Sequence, residues 1–146
     1  MSVARTIIED SVSRLANLDL EEAPTPFNIR QIPDNLRDKS FLVRLEPMTE
    51  DAQGPVVCGV VGVERDLTIQ VFHRGRSSKT ASTIRDFYLD ALDVEERLAK
   101  SFLLTAPSGA KVAFIQSIRT EPSESTSNQK WLITTLSLRL KYEVNL

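Results

Sequence analysis

The stretch WLITTLSLRLKYEVNL, residues 131–146, decides the fold. It contains no Gly or Pro, and it alternates along nearly its whole length. Leu132, Thr134, Leu136, Leu138, Leu140, Tyr142 and Val144 fall on one side of an extended chain. Trp131, Ile133, Thr135, Ser137, Arg139, Lys141 and Glu143 fall on the other. Side chains on a strand point to opposite faces with period 2, so the segment is predicted to be one long strand with a buried face and a mostly wet one. A strand of that length needs a sheet to pair with.

The partners are sought upstream. Residues 40–46 alternate Phe41, Val43 and Leu45 against Leu42, Arg44 and Glu46, and Pro47 stops the strand. Residues 48–55 form a polar loop bounded by Gly and Pro, and an apolar run over 56–63 follows. Leu67, Ile69 and Val71 then alternate with polar neighbours, which predicts a hairpin with a long second limb bent near Gly59 or Gly62. Residues 111–118 supply another strand. The tract from Arg119 to Gln129 has no large apolar side chain after its start, and it is expected to be a long hairpin tip.

Two segments carry helical spacing. Over residues 3–18, Val3, Ile7, Ile8, Val12, Leu15 and Leu18 recur at three- and four-residue intervals. The second helix runs to about residue 100, with Ile84, Phe87, Tyr88, Ala91, Leu92, Val94 and Leu98 on its broad apolar side and Asp86, Asp90, Asp93, Glu95 and Glu96 on an acidic opposite side. Ser77, Ser78 or Thr80 would cap it. Pro24, Pro26 and Pro33 make residues 19–38 an extended connection, with Phe27, Ile29 and Ile32 able to add to a sheet edge. The order helix, three strands, helix, two strands predicts an α+β fold. Its sheet would be mainly antiparallel, of about four to five strands, with two helices packed on one face. The whole of 1–146 reads as one domain, with a helix and proline-containing arm over 1–39 and the sheet plus second helix over 40–146.

Composition narrows the function. Hydrophobic residues make up 41% and charged residues 26% of 146, as in an ordinary soluble globular domain large enough for a real core. A net charge of −2 supplies no global basic field for non-specific nucleic-acid binding. The single Cys58 lies in an apolar run, where a free thiol acts as a small core residue, and an intracellular reducing compartment is the expectation. Met1-Ser2-Val3-Ala4-Arg5 leads into the first helix without an apolar signal core, and no run reaches the length of a membrane span.

Catalytic groupings are sparse. His73 is the only histidine; beside Arg74 it reads as a solvent-facing turn residue. One His and one Cys cannot build a typical zinc site. Asp86, Asp90 and Asp93 stand at helical spacing, a pattern that belongs to a solvated helix face more readily than to a metal site. The glycines spell no phosphate-binding loop. The chain is therefore expected to be no enzyme and to need no cofactor or metal. Arg74, Arg76 and Lys79 form a local basic cluster just before a helix N-terminus, a position that favours anions. A solvated turn, a dock for an acidic patch on another subunit and a phosphate contact are its three readings. Asp86, Asp90 and Asp93 would offer that acidic patch on an identical copy, a head-to-tail contact of the kind that closes into a ring. Glu121 and Glu124, in the loop-like tract, complete the set of interface candidates.

Taken together, the N-terminal helix, the approach Ile32-Pro33-Asp34 to the strand at 40–43, the hairpin ending at Ile69-Gln70-Val71, the helix around Asp90 to Leu98 and the final strand from Trp131 resemble the tail terminator and tail-completion proteins of long-tailed bacteriophages. The resemblance spans nearly the whole chain and rests on layout, without a shared motif. It implies a structural virion protein, assembled in the host cytoplasm, that forms a ring, hexameric in that family, at the head-proximal end of the tail. Such a ring ends polymerisation of the tail tube and meets the head connector, with DNA at most passing through it and no membrane involved. Tail-tube protein, connector or neck protein and further copies of the chain would be its partners. Residues 119–129 and 48–55 would then order on contact. A neck or head-completion adaptor and a small nucleic-acid-binding module are the alternative readings.

Overall fold

The computed structural model describes residues 2–24, 32–33, 36–48, 53–57, 59–75, 81–124 and 130–145; for 53–57 and 124 it describes the backbone alone. The C-terminal strand is as long as its alternation requires. β6 (Lys130–Asn145) pairs antiparallel with β4 (Val60–Arg74) along the whole of β4, from Val60 opposite Asn145 to Arg74 opposite Trp131. β5 (Val112–Glu124) lies on the other side of β6, and β2 (Ser40–Leu45) lies against β4. The two-residue β1 (Glu21–Glu22) adds in parallel to β2, while β3 (Gln53–Val57) pairs with the first residues of β4. The result is a mostly antiparallel mixed sheet in the order β1-β2-β4-β6-β5, with α1 (Val3–Ala16) before it and α2 (Ala81–Leu103) between β4 and β5. The α+β class expected from the pattern is the class observed.

The core follows the period-2 and helical stripes. Leu67, Ile69 and Val71 of β4 and Leu136, Leu138 and Leu140 of β6 are fully buried, and they share one cluster with both helices. Helix α1 gives Ile7 and Leu15 to that cluster; α2 gives Val94, Leu98 and Phe102. At its start, α1 is capped by the Ser2 side chain, which accepts from the Arg5 N–H at 3.1 Å. At its end, Asp19 adopts a left-handed φ of 61° and the Leu20 N–H returns to the Leu15 carbonyl at 3.4 Å.

Several expectations need correction. The apolar run over 56–63 is no single limb: the chain turns at Gly59, whose φ is +77°, and the residues beyond it fuse with 67–74 into one 15-residue strand. Gln53 to Pro55 belong to β3 and not to a loop. Likewise 119–124 continue β5, because an edge strand pairs by its backbone and needs no apolar face of its own: Thr120 sits opposite Thr134 and Pro122 opposite Leu132. The wet face of β6 is also dry at its start. Trp131 is buried with Ala23, Ile32, Leu36, Leu42 and Phe72, so Ala23, Ile32 and Leu36 from the segment before β2 cover that end of the sheet. Farther along, this face is charged and paired across strands, Asp66 with Arg139 at 2.9 Å and Glu64 with Lys141 at 3.2 Å. Cys58, the capping residues 77, 78 and 80, Phe27 and Ile29 lie outside the described residues.

Candidate functional site

The basic and acidic candidates do not converge. Arg74 ends β4 with its side chain exposed, and its N–H donates to the Asp38 carboxylate at 2.8 Å. Arg76, Lys79 and the Glu124 side chain lie outside the described residues. Asp86, Asp90 and Asp93 are exposed along α2. Glu121 is exposed on β5 and pairs with Arg119 at 3.4 Å, the neighbour two residues away on the same face. Among the described residues no ion pair joins Arg74 to any of these carboxylates, and no group of three or more His, Cys, Asp or Glu could hold a metal.

His73 is the largest departure from expectation. It is fully buried in β4, on the same side as Leu67, Ile69 and Val71, and not in a turn. A buried imidazole needs both nitrogens satisfied. Lys39 Nζ lies 2.8 Å from Nδ1, and Thr134 Oγ1 lies 2.9 Å from Nε2. An ammonium can only donate, so Nδ1 accepts and the neutral ring carries its proton on Nε2. That proton goes to Thr134, whose hydroxyl meets Thr120 Oγ1 at 2.9 Å, and Thr120 donates to Glu95 of α2 at 2.6 Å. Because the Thr120 hydrogen is committed to Glu95, the Thr134 hydrogen must go to Thr120. The five groups form a one-directional chain of donors from the Lys39 cation to the Glu95 carboxylate. Burial and then the Lys39 charge push the imidazole from 6.5 down to about 4, against weaker opposing pulls from Asp38 and Asp90.

This chain is structural. Its central members have no exposure to solvent, and it ties the residue before β2, three strands and α2 into one unit. Replacing Thr134 by Val would keep the shape and strand His73 Nε2–H without an acceptor. The expected cost is about 2 kcal/mol in a urea unfolding curve, with most of it absent in a His73→Leu background. The signal was present in the sequence: one more step along the Leu67-Ile69-Val71 alternation reaches His73.

The open surface lies around α2. Its buried stripe runs through Ala91, Val94, Leu98 and Phe102, and the same spacing traced backward reaches Phe87 and Ile84. There the helix overhangs the sheet. Ile84 is 58% exposed and Tyr88 45% exposed, and a cleft of about 360 Å³ opens between them and Pro122 and Leu132. Gly75 shapes its floor. The Gly75 N–H donates to the Lys130 carbonyl at 2.7 Å, and a Cβ at that position would run into the same carbonyl. A smaller polar cleft of about 220 Å³ sits beside Glu21, Pro24 and Arg37. Trp131 Nε1 is the buried side-chain polar atom left without a hydrogen-bond partner among the described residues.

The cleft is lined mostly by apolar side chains and lies beside the acidic back of α2. No described helix is long and apolar enough to cross a membrane. Compared with known proteins, the chain matches no family model, and no curated protein matches it significantly.

Proposed function

We propose that this protein is a structural, ring-forming adaptor of a long-tailed bacteriophage, acting as the tail terminator at the head-proximal end of the tail tube. The observation that carries the proposal is the surface around α2: an exposed apolar overhang and an exposed acidic back on a helix whose other face is anchored in the core. A monomer gains nothing by leaving that stripe uncovered, whereas a subunit that docks on neighbours uses it. The order of helices and strands agrees with the resemblance, and the rigid sheet fits a part whose task is to hold shape. In this reading copies form a ring, one face meets the tail tube and the other meets the connector, and DNA passes through the centre. On the open sheet face Arg139, Lys141 and Lys111 are held in ion pairs with Asp66, Glu64 and Glu143, which weakens a nucleic-acid-binding reading of that face.

Electron microscopy of particles assembled without the protein tests the proposal. Tails longer than the normal length are expected. Filled heads lacking tails would instead assign it to the neck, and particles of normal length and infectivity would refute the adaptor reading altogether.

A further inference from the structure

β5 is last in the order β1-β2-β4-β6-β5, and no strand pairs with its outer side among the described residues. The ladder tells which of its backbone groups face outward. The Gly75 N–H donates to the Lys130 carbonyl at 2.7 Å, so the even-numbered residues of β6 turn their N–H and C=O groups toward β4. Its odd-numbered residues then turn theirs toward β5, where Ile133 stands opposite Glu121 and Thr135 opposite Arg119. The backbone groups left to the outside on this part of β5 are therefore those of Ile118, Thr120 and Pro122. Pro122 fits that parity, because its missing N–H falls where the sheet loses no ladder bond.

An unpaired strand edge takes an extended chain as its occupant, and the charges beside this edge select one. Arg119 and Glu121 flank Thr120 on one face, both more than half exposed. We infer that β5 pairs antiparallel with β5 of a second copy, about a two-fold axis at Thr120. In that register Thr120 meets Thr120 and exchanges backbone bonds in both directions. Each Ile118 N–H donates to the other copy's Pro122 carbonyl, and each Arg119 stands directly opposite a Glu121. Moving the axis to residue 119 sets arginine against arginine, and moving it to 121 sets glutamate against glutamate. An axis at 118 brings Thr120 onto the irregularity between Ile115 and Ser117. A parallel pairing sets each charge beside its own kind. The ion pairs made across the seam replace the Arg119–Glu121 pair within each copy at 3.4 Å. Charge thus fixes the register, while the backbone bonds and the Ile118–Pro122 contact hold the seam. A two-fold contact joins copies in pairs and cannot by itself close a larger ring, so the inference goes beyond the ring reading and does not depend on it.

Sedimentation of the purified full chain from about 1 μM to about 1 mM tests this, using Arg119→Glu, Glu121→Arg and the double exchange that carries both. Wild type is expected to pass from monomer to dimer, with slowed hydrogen exchange at the Ile118 and Thr120 amides. Either single reversal sets like charges opposite one another on both sides of Thr120 and should weaken pairing at least about tenfold. The double exchange restores opposite charges and should pair as wild type does. An equimolar mixture of the two single variants should also pair, because one copy then carries anions at both positions and the other carries cations. A wild type that stays monomeric overturns the seam. So does association that both single variants retain, or a loss that neither the mixture nor the double exchange recovers. In each of these cases tail length still decides the ring reading separately.

Discussion

Replacing Arg14 with alanine is expected to lower the unfolding free energy by about 3 kcal/mol, near 10 °C in melting temperature for a chain of this length. The guanidinium makes five interactions at once. It donates to the carbonyls of Ser101, Thr105 and Ala106 at 3.1, 2.6 and 2.9 Å, pairs with Asp10 at 3.0 Å, and lies 5.3 Å from the centre of the Phe102 ring. The last turn of any α-helix leaves carbonyls without intrahelical partners, and a cation there also answers the negative end of the helix dipole. Only 18% of the side chain is exposed, so water cannot readily replace it. The Asp10 carboxylate accepts a further bond from the Ser108 N–H at 3.0 Å, which holds the turn after α2 against α1. Gly109, with a φ of +97° and close to Val3 and Ile7, lets that turn approach. Arg14→Lys keeps the charge and loses the planar fork, so it should recover less than half of the deficit. Urea unfolding of the three proteins measures this; a loss under 1 kcal/mol for the alanine variant would contradict the capping role.

Acid should destabilise the fold through His73. Its folded-state value near 4 lies below the unfolded value of 6.5. As pH falls from neutrality, the unfolded chain takes up the proton first, and unfolding becomes easier. The stabilisation is complete above about pH 6.5, declines below it and is gone once pH falls through about 4, a total of about 3 kcal/mol. Burial is the larger cause, and a proton on Nδ1 would in addition face the Lys39 ammonium across 2.8 Å. Since His73 is the only histidine, one imidazole resonance reports the whole titration by NMR. That resonance should stay unshifted down to about pH 5. A midpoint near 6.5 would mean that the ring is solvated and the donor chain is not formed. His73→Gln should flatten the stability profile between pH 4 and 6.5 relative to wild type.

The parts of the fold legible in the sequence were those set by repeating side-chain patterns. The alternation from Leu132 to Val144, the stripe from Val3 to Leu15 and the stripe from Ala91 to Leu98 each face the core as their spacing requires. Elements held by backbone pairing alone were not legible. Residues 119–124 and β1 carry no hydrophobic period, and they are strands because an adjacent strand offers free N–H and C=O groups. His73 was misread because its neighbours Arg74 and Gly75 resemble a turn; the partners that make its burial tolerable, Lys39 and Thr134, are 34 and 61 residues away. On the acidic side of α2, Asp86, Asp90, Asp93 and Glu96 are exposed as expected, whereas Glu95 is half-buried and accepts from Thr120. The cleft beneath Ile84 was not foreseeable, since helix periodicity says which residues share a stripe and not where the sheet beneath them ends.

Trp131 is the one tryptophan in the chain, and it is sealed between the sheet and Ala23, Ile32 and Leu36. The protein thus carries an intrinsic optical gauge. Its indole emission should sit toward the blue while those residues stay seated and move to the red when they lift, so that ring assembly, tube capture or acid exposure can each be followed in the unlabelled chain.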